Sequence, residues 1–129
     1  MSSEQNSSRS NDQIVFQQAT ALARAGDDLE IAQTVARMFL EYGPEWLEQL
    51  RQASADADWQ TTQRLAHMIK GSGDNLDCQE VRQAAWSMES AIQSGEHDAI
   101  ETMLSELNRA IERCRPHLIA FCESDENPS

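Results

Sequence analysis

The sequence predicts an all-α protein, an antiparallel up-down-up-down four-helix bundle with an additional short N-terminal helix. Three observations carry this. Apolar residues recur at three- and four-residue steps along most of the chain, the period of an amphipathic helix. Breakers are scarce, with 3 Pro and 5 Gly in 129 residues, and Val, Phe and Tyr are too few for a sheet-rich core. The segments between the helical runs are short, which sets successive helices side by side and antiparallel.

Each element has its own start and stop. Residues 1–11 and 123–129 are polar and show no apolar period, so they are expected to be disordered tails around one domain over 12–122. Asp12 is expected to cap a short first helix carrying Val15, Ala19 and Leu22. Arg24-Ala-Gly-Asp-Asp28 ends it, with Gly26 as the stop and Asp27 or Asp28 as the next N-cap. The second helix repeats Ala32, Val35, Phe39, Tyr42, Trp46 and Leu50 on one stripe. Gly43-Pro44 falls inside that stripe, which resumes in phase at Trp46, so a kink is expected there and not a domain boundary.

Asp56 and Asp58 mark the start of a third helix, with Leu65, Ile69, Ser72 and Leu76 on its inner face. Gln79 to Ser94 forms a fourth through Val81, Ala85, Met88 and Ile92, ended by Gly95. Asp98 to Phe121 forms a fifth through Ile100, Leu104, Leu107, Ile111, Cys114 and Leu118, and Pro116 is expected to bend or fray its last turns.

Composition narrows the function. The chain is 40% hydrophobic and 25% charged, with 22 acidic against 10 basic residues and a net charge of −12. Such a surface repels phosphate backbones and anionic lipid, which argues against nucleic-acid and membrane partners. The polar N-terminal stretch has no apolar signal region, and Leu118 to Cys122 is too short to cross a bilayer, so a cytoplasmic protein is expected. Cys78, Cys114 and Cys122 form an odd, unclustered set that fits reduced thiols. Cys114, His117 and Cys122 could suggest a soft-metal site, but Pro116 intervenes and no fourth ligand is near, so no metal site is expected.

The stretch from Arg64 to Leu76 carries the chemistry. With Leu65 at zero and about 100° per residue, Leu65, Ile69, Ser72 and Leu76 cluster on the core side and His67 falls roughly opposite. Gly71 lies beside His67 one turn on, and Lys70 about 60° away. A titratable ring nitrogen, an ammonium and a glycine thus share the solvent side. Lys70 is the only lysine in the chain, and it offers a counter-charge for an anion held on that ring. Gly71 would let a partner backbone or a phosphoryl group approach closely. By periodicity alone, Gly-Ser-Gly-Asp-Asn also fits a helix C-cap and loop.

The run Leu65-Ala-His-Met-Ile-Lys-Gly-Ser-Gly-Asp-Asn-Leu76 resembles the signature of histidine phosphotransfer (HPt) domains, Ala-His-x-Leu-Lys-Gly-Ser followed by Asn-Leu-Gly. Ala25-Gly-Asp27, Met38-Phe-Leu-Glu41, Pro44, Trp46-Leu47 and Leu50 look like that family's first half. Met88-Glu89 with Ser94-Gly95 is similar to the end of its fourth helix, so the resemblance covers about residues 14 to 121. It implies a bacterial two-component phosphorelay protein. His67 would be the phosphorylated nucleophile and Lys70 the stabiliser of phosphoryl charge, with Arg64, Gly71 and Asp74 facing the partner.

The partners implied are receiver domains of a hybrid histidine kinase and of a response regulator, which supply Mg²⁺ during transfer. The chain itself, expected to be monomeric, would need no cofactor and would carry phosphoryl groups without being a kinase. Two departures stand out: Asp77 replaces the usual Gly and Asp74 a small residue, both adding negative charge near the site. The alternative is a non-catalytic helical adaptor, which the presence of His67, Lys70 and Gly71 disfavours. A metal-binding bundle fails for lack of inward Glu-x-x-His pairs. Glu89 projects from the fourth helix and is expected to be surface charge, with a supporting role toward His67 from beside the third helix as the alternative. His97 is expected to be a solvated residue ahead of the last helix, and Trp46, Trp59 and Trp86 packing residues, unless one of them rims a docking surface.

Overall fold

The computed structural model describes Phe16 and residues 18–124. Asp12, Val15 and the expected tails, Glu123 and Ser124 apart, lie outside the described residues. The elements are α1 (Gln18–Arg24), α2 (Leu29–Ala55), α3 (Trp59–Asn75), α4 (Gln79–Gln93), a 3₁₀ turn (His97–Ala99) and α5 (Ile100–Cys122). Consecutive long helices pack on each other and α5 closes against α2, so the four form a bundle around one core. The short α1 packs on α2.

The helices stop where backbone geometry says they must. Ala57, Asp77 and Gly95 adopt left-handed φ values of 57°, 54° and 76°. In each case the next N–H bonds back five residues: Asp58 to Ala53 O, Cys78 to Gly73 O and Glu96 to Ala91 O, all at 2.8 Å. These closures satisfy the last carbonyls of one helix and turn the chain straight into the next. Asp28 and Asp58 then serve as N-caps, accepting from Ile31 N and Thr61 N.

Three expectations need correction. Ala19 is exposed, and α1 buries Leu22 as expected, with Ala21 beside it; ahead of the helix the Phe16 ring lies 5.4 Å from that of Phe121 on α5, tilted at 59°. Tyr42 is also exposed, and its ring stacks along α2 on Trp46 at 6.2 Å. Pro116 does not fray α5, which runs on to Cys122. Gln33, buried on α2, donates to the carbonyls of Phe121 at 2.9 Å and Ser124 at 2.7 Å, and Leu118 and Phe121 anchor the last turns in the core. At the other proline, α2 is a single helix through Gly43-Pro44, without a domain boundary.

Candidate functional site

α3 continues through Lys70 and Gly71 to Asn75, so the stretch after His67 is helix and not a loop. Leu65, Ala66, Ile69 and Gly73 point inward, and His67 points out of the bundle. The two glycines divide the work. A Cβ at Gly71 would meet nothing within 4 Å, whereas one at Gly73 would stand 3.0 Å from the Arg82 backbone N, 3.1 Å from Val81 Cγ1 and 3.3 Å from Cys78 O. Gly73 therefore lets α3 approach the start of α4, and Gly71 leaves an open notch beside His67.

The main correction at the site is Glu89, where the alternative of a role beside His67 holds and the expectation of surface charge does not. It is not loose surface charge: its side chain is only 12% exposed, with Oε2 2.9 Å from His67 Nδ1 and Oε1 3.2 Å from Lys70 Nζ. Lys70 is accordingly not a free solvent cation but lies half-buried in the α3–α4 seam. The pairing of Lys70 with Glu89 is ionic and lacks hydrogen-bond alignment.

A carboxylate can only accept, so in the neutral imidazole the proton sits on Nδ1 and the lone pair on Nε2. The side chain of His67 is 66% exposed, and no described hydrogen bond engages Nε2. The site thus presents a solvent-facing ring nitrogen with an anion behind the ring and an ammonium one turn away. The signal for Glu89 lay in its place at the flank of the α4 stripe, about 100° from Met88.

Asp74 and Asp77 face away from this cluster toward α1, where Arg24 stands 3.6 Å from Asp74 and 3.8 Å from Asp77. Arg64 is exposed, and its charge helps keep the Asp58 carboxyl low. Trp46 and Trp59 pack against the core as expected, but Trp86 is 49% exposed on α4. His97 is not simply solvated; its ring stacks on Trp59 at 4.1 Å. Cys114 is buried against Cys78 while His117 is exposed, so the supposed soft-metal trio does not converge. Among the described residues no group of three or more His, Cys, Asp or Glu is placed to hold a metal ion, and no helix is long and apolar enough to cross a membrane.

The described helices form a bundle with an outward histidine flanked by a carboxylate and an ammonium. A family model described as Hpt domain matches residues 34–116. The chain belongs to the Hpt family, the histidine phosphotransfer modules of phosphorelays, which carry phosphoryl groups and are not kinases. No curated protein and no solved structure matches the chain.

Proposed function

We propose that His67 accepts a phosphoryl group from the aspartyl phosphate of a receiver domain in a hybrid sensor kinase and passes it to the receiver domain of a response regulator. One observation carries this reading: Glu89 holds Nδ1 of a ring otherwise open to solvent, which leaves Nε2 as the attacking atom. In the forward step the Nε2 lone pair forms the N–P bond as the acyl-phosphate P–O bond breaks, and the aspartate carboxylate leaves. The ring becomes cationic with Nδ1–H still facing the Glu89 carboxylate, so no proton has to move. Such a loose transition state asks for positioning and charge stabilisation. Lys70 can swing from Glu89 toward the phosphoryl oxygens, and the Mg²⁺ of the transfer comes from the receiver.

The open notch at Gly71 and the exposed Arg64 border the attacking ring and serve as partner contacts. Asp74 contributes less, because Arg24 already answers its charge. The chain needs no cofactor of its own and works as a monomeric carrier in the cytoplasm. The adaptor alternative gains nothing from a pre-oriented nucleophile.

The test is labelling by a phosphorylated receiver in the presence of Mg²⁺. Label is expected on His67 alone, lost in acid and stable in base, and absent from His67→Gln. Label that persists in the variant, or that survives acid and is lost in base, refutes the reading.

A further inference from the structure

A pair of cysteines meets inside the bundle. Cys78 closes the turn between α3 and α4, and Cys114 lies on α5. Both are buried, and their Sγ atoms are 2.6 Å apart. Cys78 holds the N-cap position of α4, yet its side chain makes no capping bond. Its sulfur turns inward to Cys114 instead. Cys122 is engaged elsewhere, its thiol directed 3.7 Å to the Gln33 carbonyl.

We propose that Cys78 and Cys114 are a redox-active dithiol that closes to a disulfide when the protein meets a peroxide. The two sulfurs already meet in the core, so closure to a bond of about 2.05 Å calls on side-chain rotation. One thiol gives up its proton and attacks hydrogen peroxide as the thiolate; the O–O bond breaks to give a sulfenic acid and hydroxide, which takes that proton back and leaves as water. The second thiol then displaces the sulfenic hydroxyl as a second water. The two sulfurs together give up two electrons and two protons, and the peroxide becomes two waters.

The surroundings set the tempo. The hydrogen bond with Cys114, and after it burial, push the Cys78 thiol far above its ordinary range. Little thiolate is present at neutral pH, so closure is slow and waits on transient opening of the α4–α5 contact. The same shielding protects the finished bond from attacking thiols. The bond ties the α3–α4 turn to α5, on the core side of the bundle, and leaves the outer seam of His67, Lys70 and Glu89 untouched.

The experiment uses the full chain carrying Cys122→Ser, which removes the third thiol without disturbing the core pair. Reduced protein is treated with hydrogen peroxide, quenched, unfolded and alkylated with iodoacetamide. The reduced sample takes up two alkyl groups. The oxidised sample is expected to take up none, to weigh less by two hydrogens before alkylation, and to yield a cross-linked peptide containing Cys78 and Cys114. Its Tm should rise by on the order of 10 °C, because the cross-link restricts the unfolded chain, and fall back with dithiothreitol. An oxidised sample that still takes up two alkyl groups, or that carries sulfinic acid on either cysteine in place of the cross-link, overturns the proposal.

Discussion

Replacing Glu89 by Gln removes one negative charge from the α3–α4 seam while keeping the size of the side chain and an oxygen that can accept from His67 Nδ1–H. In the wild-type protein that carboxylate lies 2.9 Å from the ring nitrogen. Once Nε2 holds the phosphoryl group, the ring is a cation facing an anion at this distance. Coulomb attraction at 2.9 Å is about 1.4 kcal/mol at the permittivity of water and about 5.7 kcal/mol at an effective value of 20. The ring side of the pair is mostly solvated, and the transition state carries only part of the charge, so the lower figure applies. A loss of about 1.4 kcal/mol is about tenfold in rate. The assay is single-turnover transfer from a phosphorylated receiver with Mg²⁺, paired with ¹H–¹⁵N spectra of the imidazole. Glu89→Gln should transfer about tenfold more slowly, and the neutral wild-type ring should carry its proton on Nδ1. Wild-type transfer rates in the variant, or a wild-type ring protonated on Nε2, would refute the reasoning.

Other outcomes follow from the backbone and the caps. Gly71→Ala should raise stability by up to about 1 kcal/mol, since its Cβ meets open space in a helix interior. Gly73→Ala should lower it by about 1 kcal/mol or more, because its Cβ would press on the Arg82 backbone; urea titration of both decides whether the signs differ. Asp77→Gly should be close to neutral, relieving a left-handed φ of 54° while losing the Arg24 contact, whereas Asp77→Ala loses the contact without the relief and should cost about 1 kcal/mol. Hydrogen bonds from Thr61, aided by Arg64, hold the Asp58 carboxyl below its ordinary range. The stability this contributes is present above about pH 4 and fades as pH falls through the lowered value. Asp58→Asn still caps but cannot titrate, so its Tm should fall less steeply on acidification; an unchanged acid limb would count against the cap.

How far the sequence could be read depended on how local each cause was. The helices followed from their own apolar periods, and Asp28, Asp58 and Gly95 punctuate them through bonds a few residues away. His67 could be placed outward by the same arithmetic. Glu89 could not be placed against it, because 22 residues and an interhelical angle separate the two, and periodicity fixes a side chain's azimuth on its own helix only. Gly71 could be set beside His67 by the same arithmetic, but the part of Gly73 in letting α4 approach is an interhelical fact. The pairing of Cys78 with Cys114 and the stacking of His97 on Trp59 are likewise interhelical facts. Pro116 misled differently: its local penalty was read correctly, but the Gln33 bonds that hold the end of α5 come from the far end of the sequence.

The two acidic departures from the family pattern are absorbed by the fold. Asp77 occupies a left-handed turn position, where Asp is among the few side chains tolerated. Arg24 brings α1 over Asp77 and Asp74, so two acids at that end of α3 share one guanidinium. Around His67 itself the charges balance, with Lys70 against Glu89. The net charge of −12 is therefore not concentrated at His67, and charges away from it are screened by salt over a Debye length of about 8 Å. Encounter with a phosphorylated receiver should therefore respond to ionic strength through the chain's net negative charge. The in-line step depends on a close, locally neutral cluster and should respond much less.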